Sequence, residues 1–531
     1  MTETRALHPG RRNKNQESAG LDVAALPELP KGWCWALVEH LSAGEPYSLA
    51  IGPFGSNLKV CDYADAGVPL IFVRNIRSGR FGGEHTQFVS QQKAKQLAAH
   101  SVEAGDILVT KMGDPPGDAC RYPMDQPPGI ITADCIKIRL RPDLSPAAYV
   151  INALNSPIIK SQVAQITRGV AQQKVSLGRF SSIALPLAPL PEQRRIVAKI
   201  EELFSDLDAG VAALERVKAN LKRYRASVLK AAVEGRLTEA WRKKHPKTEP
   251  ADKLLQRILA ERRQKWDEEQ VRKFKAAGKT PPKDWQKKYQ EPVEPDTSGL
   301  PALPEGWCWA TVGQTAEVQG GIQKQPKRKP ERNAYPYLRV ANVMRNRMAL
   351  SEIQEMELFG DELEKLRLLS GDLLVVEGNG SLTEIGRSAL WAGEIKDCVH
   401  QNHIIRVRFM AGAPTFLNAY WNSPQGNGRV MNLAASTSGL YTLSVAKVNG
   451  MPVPLASVSE QEVIVAEVDR RLSVTDAVEA EVEHSLQRAG RLRQAILKRA
   501  FEGRLVLQDP KDEPAQKMLE RIRECSASSP T

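Results

Sequence analysis

Two stretches of the chain place apolar residues at steps that alternate between three and four. From Glu192 they fall at Ile196, Ile200, Leu203, Leu207, Val211, Leu214, Val217, Leu221, Tyr224 and Val228. From Glu460 they fall at Ile464, Val468, Leu472, Thr475, Val478, Val482, Leu486, Ala489, Leu492 and Ile496. This is the heptad signature of a coiled-coil seam and predicts long helices within 190–237 and 458–507. Gly235 and Gly503 stand where a left-handed C-cap stops each helix. At 1.5 Å per residue, about 45 residues give a rod of roughly 65 Å, and an apolar seam of that length needs a cover. The expected cover is the other helix, antiparallel, with a globular domain at each end; packing of each helix on its own domain is the alternative.

Outside the helices the pattern shortens to β-branched runs between turn residues. Pro69–Arg74, Asp106–Thr110 and Cys135–Arg139 read as strands, as do Tyr337–Val340, Asp372–Val376 and His403–Val407. Short helices are expected around Ser145–Asn155 and Thr415–Asn422. The fold class is therefore α+β: two globular domains, 26–189 and 300–457, alternating with two long helices. A polar leader (1–25) and a tail (508–531) flank them. Residues 238–299 form a basic helical insert with a Pro-rich linker and belong to neither domain.

The halves repeat one another, which decides the architecture. Leu26–Ala36 returns as Leu300–Ala310, each with Gly-Trp-Cys-Trp-Ala. Ala104-Gly-Asp-Ile-Leu-Val109 returns as Ser370-Gly-Asp-Leu-Leu-Val375, and Asn155-Ser-Pro157 as Asn422-Ser-Pro424. Glu192–Leu237 aligns without a gap onto Glu460–Leu505, each closing on Glu-Gly-Arg-Leu. Identical order at a nearly constant offset makes this a duplicated unit.

Composition narrows the partner. The 531 residues carry 74 Lys and Arg against 62 Asp and Glu, a formal charge of +12, which favours an anionic partner such as nucleic acid. Much of the surplus lies between Thr238 and Gln290. No stretch is apolar enough to span a membrane, and the seven cysteines are scattered, with no C-x-x-C pair. A cytoplasmic protein without a disulfide framework or zinc site is expected.

Several motifs carry a resemblance. Leu-Pro-x-Gly-Trp-x-Trp opens each unit at Leu29–Trp35 and Leu303–Trp309. Pro186-Leu-Ala-Pro-Leu-Pro-Glu-Gln193 leads into the first helix, and 228–237 and 496–505 close the two helices on Glu-Gly-Arg-Leu. Together with Gly52-Pro-Phe-Gly-Ser-Asn-Leu-Lys59, these resemble the DNA-specificity subunits of type I restriction–modification systems over about residues 26–507. One departure is Val458-Ser-Glu-Gln461, where the family has a proline before Glu-Gln; this is expected to soften the helix start. The resemblance implies two target-recognition domains, each reading half of a split site in double-stranded DNA, with the paired helices fixing the gap. It also implies two methyltransferase subunits that carry S-adenosylmethionine and methylate adenine, and restriction subunits that join them. No cofactor is expected on this chain itself.

Nothing in the sequence supplies a catalyst. Gly113-Asp-Pro-Pro-Gly117 resembles an amino-methyltransferase motif but has glycine where the base-stacking aromatic would stand, so a turn is the better reading. The Gly-rich run 378–386 matches no phosphate loop. Asp106 with Lys111 suggests a nuclease pair, yet Asp372 repeats the acid without the lysine. The remaining classes are a divergent methyltransferase or nuclease with its own recognition domains, and a bipartite DNA-binding regulator without a methyltransferase partner. For DNA contact, long polar side chains in turns after strands are the candidates. In the first domain these are Lys59, Arg74, Asn75, Lys111, Arg168, Gln172 and Gln173. In the second they are Lys327, Arg328, Arg339, Asn342, Asn379, Arg387 and Tyr441. The tryptophans Trp33, Trp35, Trp307 and Trp309 are assigned to packing.

Overall fold

The structure is a computed structural model that describes residues 26–527 apart from 83–86, 142, 168–172 and 438–439. Arg168 and Gln172 lie outside the described residues. The chain divides into two units, residues 1–214 with 484–531, and residues 215–483.

In the first unit the predicted strands form an antiparallel sheet in the order Ala119–Arg121, Ile107–Thr110, Cys135–Ile138, Leu49–Ile51. A five-stranded sheet has Val68–Ile71 and Gly129–Ile131 at its centre, running parallel. Every residue of Ile107–Thr110 and Cys135–Ile138 is buried, so Ile107–Val109 reads as an unbroken apolar run, while the buried Lys137 ammonium donates to the Ser101 carbonyl at 2.7 Å. The second unit repeats the plan with Ala316–Gly320, Ile404–Phe409, Leu373–Val376 and Ser388–Leu390.

The repeated aspartates are structural in both copies. Asp106 accepts two bonds from Arg139, both at 3.0 Å, and the Glu103 N–H at 2.9 Å. Asp372 accepts two from Arg408, both at 2.7 Å, and the Leu369 N–H at 2.7 Å. Each carboxylate thus closes the turn before its strand and neutralises an arginine on the neighbouring strand.

The heptad stretches form helices Leu190–Val233 and Val458–Phe501, 44 residues each. Ser457 starts the second, its hydroxyl accepting the Glu460 N–H at 3.2 Å. A serine cap thus supplies the start that the missing proline was expected to weaken. Within the first unit Arg493 bonds Asp208, which also accepts from Arg80 at 2.9 Å. Within the second, Arg225 bonds Asp476 and, at 2.9 Å, Glu479, while Lys218 reaches Glu483 at 3.0 Å. Rising numbers on one helix meet falling numbers on the other, so the pairing is antiparallel. Arg225 and Asp208 align with Arg493 and Asp476 in the repeat, so one ion pair appears twice.

Packing on a domain, the alternative reading, holds as well at the helix ends. Ile196, Ile200, Ile496, Leu497 and Phe501 join the core of the first domain, and Phe501 meets Tyr149 edge-on with ring centroids 5.2 Å apart. Val228, Leu229, Ala232, Ile464 and Val468 do the same with Trp307 and Phe416. Away from the ends, the seam positions Val217, Tyr224, Val478 and Leu492 are 38–50% exposed. Two helices share a single contact face, which cannot enclose every seam side chain. The tryptophans that open each unit serve packing: Trp33 and Trp307 are buried. Each indole N–H donates to a carboxylate at its helix start, Glu192 at 3.0 Å and Glu460 at 2.9 Å.

Residues 238–299 require a correction. Glu249-Pro-Ala-Asp-Lys-Leu-Leu-Gln-Arg-Ile258 matches Glu513-Pro-Ala-Gln-Lys-Met-Leu-Glu-Arg-Ile522, so the duplication runs past the long helices. Helices Ala251–Ala276 and Ala515–Ala527 pack equivalently. Ala251 donates its N–H to the Gly306 carbonyl and Ala515 its own to Gly32, both at 2.9 Å. Ala251, Leu254 and Ile258 are buried against the second domain, and Ala515, Met518 and Leu519 against the first. In the middle of the chain that helix continues to Ala276. It is closed by Trp266 stacked on Trp285 at 5.7 Å, with Tyr289 and Phe274 at the edges. Among the described residues no helix is long and apolar enough to cross a membrane.

Candidate nucleic-acid interface

In both domains one glycine begins the loop that leaves the central sheet. A side-chain carbon on Gly52 would sit 2.1 Å from the Thr132 backbone, and one on Gly321 would sit 2.2 Å from the His400 carbonyl oxygen. Only glycine allows that approach. The loops that follow, 52–59 and 321–329, therefore spring from the same anchored point, but their residues differ. The first runs Pro-Phe-Gly-Ser-Asn-Leu-Lys and the second Ile-Gln-Lys-Gln-Pro-Lys-Arg-Lys.

Lys59 is exposed on the first loop, and its backbone N–H is capped by Asp62 at 2.8 Å. Lys111, at the end of Ile107–Thr110, donates to the Ala133 carbonyl at 2.9 Å, with its ammonium 5.9 Å from the Phe54 ring centre. Gln173 joins this neighbourhood through its carbonyl, which accepts the Gly113 N–H at 3.4 Å. Lys111, Gln173 and the 52–59 loop are thus brought together. Arg74 is exposed over the Phe72 ring at 4.2 Å.

In the second domain Lys327 is exposed on its loop. Lys324, Arg328 and Lys329 line a groove of about 880 Å³ floored by Tyr337, Gln354 and Met356. Asn379 and Tyr441 are brought together on paired strands, with the Asn379 side chain accepting the Ser381 N–H at 2.9 Å. Arg339 is partly buried and its guanidinium donates to the Glu352 carbonyl at 3.3 Å.

Four candidates are tied up by the fold instead. Asn75 is 1% exposed; it accepts the Phe72 N–H at 2.9 Å and donates to Gly82 at 3.2 Å. Asn342, its counterpart, accepts from Arg339 and donates to Ala349 and Glu352 at 2.8, 2.8 and 2.9 Å. Arg387 donates to the Val343 and Val340 carbonyls at 2.6 and 3.0 Å. Arg328 grips Glu362 with both terminal nitrogens, at 2.9 and 2.8 Å, and this hydrogen-bonded pairing holds the Glu362 carboxyl down at about 2. An amide or guanidinium so engaged has little left to offer a base edge. Sequence reasoning missed Phe54, Lys324 and Lys329, exposed on the same loops as Lys59 and Lys327. Their signal was position after the anchoring glycine.

Burial pushes the thiols of Cys120, Cys135 and Cys398 up to about 12, so they stay protonated. Among the described residues no group of three His, Cys, Asp or Glu is placed to hold a metal ion.

Comparison with known proteins agrees with this architecture. Residues 85–217 match the type I restriction modification DNA specificity domain. The chain is 26% identical over 519 residues to the type I restriction enzyme EcoKI specificity subunit of Escherichia coli K12, covering 94% of this chain and 97% of that one. It is 24% identical to the StySPI specificity subunit of Salmonella potsdam, covering 93% and 96%. Among solved structures, a chain from work on complex assembly and conformational transition of the type I R-M system covers 90% of this chain and is itself fully covered. Its TM-score is 0.53 at 19% identity, a likeness of fold. Duplicated in its scaffold and matched over 94% of its length by the first of these relatives, the chain is similar to the DNA-specificity subunits of type I restriction–modification systems.

Proposed function

We propose that the chain reads a two-part site in double-stranded DNA, one part with each domain, and does no chemistry itself. Two methyltransferase subunits dock on it, bring S-adenosylmethionine and methylate adenine within the site, and restriction subunits join that assembly. One observation carries this reading. The scaffold is duplicated down to Gly52 and Gly321, Asp106 and Asp372, and Asn75 and Asn342, while the loops it presents are not. Equal scaffolds with unequal loops suit a protein that reads two different short sequences.

The test pairs this chain with adenine methyltransferase subunits encoded beside it. The complex is expected to methylate adenine at one split site, mapped by sequencing. The chain alone, with labelled S-adenosylmethionine and the same DNA, is expected to transfer nothing. Transfer by the chain alone above a no-protein control would overturn the non-catalytic reading; methylation at scattered, unrelated adenines would overturn specificity.

The helices supply a second expectation. Removing one heptad, Val211–Val217, keeps the seam in register and shortens that helix by about 10 Å. If the helices fix the gap between the half-sites, mapping should find a shorter gap or no methylation. An unchanged site at full activity would show that they do not.

A further inference from the structure

We infer that Phe54 is a stacking finger, which packs its ring against a DNA base at one step of the half-site read by the first domain. The inference deepens the specificity-subunit reading and rests on it.

A single exposed apolar side chain is ordinary on a protein surface and by itself needs no explanation. Phe54 is set apart by how it is held. Its residue is 67% exposed, on a loop whose root is closely packed, Gly52 lying against the Thr132 backbone. The loop turns through Asn57, whose N–H donates to the Phe54 carbonyl at 2.8 Å. The Lys111 ammonium lies 5.9 Å from the ring centre while its own position is fixed by the Ala133 carbonyl at 2.9 Å. A cation near an aromatic face holds the ring without covering it. Five residues on in the same loop stands exposed Lys59, a cation suited to the phosphate near a stacked base.

This is the combination that single bases favour: an aromatic face open to stacking, with positive charge for the backbone. Inserted side chains of this kind unstack a base step and kink the duplex, at a cost of a few kcal/mol that added contacts offset. At the equivalent loop position the second domain carries no aromatic side chain. Gln323 occupies the position equivalent to Phe54, two residues past Gly321, so the two half-sites would be handled differently.

The test uses the complete methyltransferase complex and a duplex carrying its mapped site, with 2-aminopurine replacing one base at a time. With the unaltered chain, fluorescence should rise several-fold at one step of one half-site. Phe54→Ala should abolish that rise and weaken DNA binding by about 5- to 150-fold, the range for loss of one stacked aromatic. Phe54→Trp should restore both, while Gln323→Ala should leave the signal in place. Circular dichroism of the Phe54 variants should be unchanged, since the residue is exposed. Phe54→Leu retaining full affinity and signal would overturn stacking in favour of simple apolar contact. Unchanged affinity and fluorescence in Phe54→Ala would overturn the finger altogether. A complex that methylates no defined site defeats the specificity-subunit reading itself, and this inference with it.

Discussion

Replacing Asp372 with alanine is expected to destabilise the second unit by about 3–5 kcal/mol, the usual result of removing one member of a buried ion pair. Its carboxylate is 1% exposed and holds Arg408 at two points, both at 2.7 Å, as well as the Leu369 N–H. Without it, Arg408 keeps its hydrogen bond to the Arg367 carbonyl at 3.0 Å and the attraction of Glu317, a carboxylate already bonded by Arg406 at 3.0 Å. Asp106→Ala should cost less, about 2–3 kcal/mol, because Arg139 retains the Glu103 carboxylate at 3.3 Å. Urea unfolding should therefore show one transition displaced in each variant, the larger displacement belonging to Asp372. A shift below about 1 kcal/mol for Asp372→Ala would mean the pair contributes little beyond its own desolvation. The effect also reaches the surface proposed to read DNA, since the strands that begin at these turns lead to Lys111 and toward Asn379.

That pair shows what was legible beforehand. Asp106 and Asp372 occupy the same place in two copies of one unit, and anything the duplication preserves has a task common to both domains. Asn75 and Asn342 obey the same rule: each sits in Val-x-Asn after a strand and each caps its own turn. Read one domain at a time, both looked like polar turn residues free to meet a base, because a chain pattern does not reveal whether a side-chain amide is spent on nearby backbone. Arg328 and Arg387 misled for a related reason. Their partners, Glu362 and the Val340 and Val343 carbonyls, lie tens of residues away. The helices were legible because heptad spacing acts over a long window. The extension of the repeat through Glu249–Ile258 and Glu513–Ile522 is also written in the sequence, within a basic, Pro-rich neighbourhood whose charge masks the match.

Glu192 and Glu460 begin the two long helices at equivalent positions, yet opposite results are expected from the same substitution. Glu460 is 3% exposed and fully engaged: it accepts from Trp307 at 2.9 Å, from Thr238 at 2.6 Å and from Arg242 at 2.5 Å. Glu460→Gln removes the charge that Arg242 needs and should cost about 2–4 kcal/mol. Glu192 accepts from Trp33 at 3.0 Å, but its other oxygen is buried without a well-formed hydrogen bond, although Gln508 lies near. Arg195, the cation on the same turn, is engaged by Asp512 at 2.7 Å. Burial therefore raises the Glu192 carboxyl above its usual range. A carboxyl raised in the folded state binds its proton more tightly there than in the unfolded chain. Its ionisation thus subtracts stability as pH rises from the ordinary glutamate range through the raised value, and the full penalty is present above that value. Glu192→Gln keeps the bond from Trp33 and has no charge to bury, so at neutral pH it should match or exceed the parent chain, by up to about 1 kcal/mol. The advantage should shrink as pH falls and disappear below the ordinary glutamate range, where the parent carboxyl is already neutral. Paired urea titrations of both variants at neutral and acid pH would show the contrast. Loss of more than about 1 kcal/mol in Glu192→Gln at neutral pH would mean that this carboxylate is as firmly held as its twin.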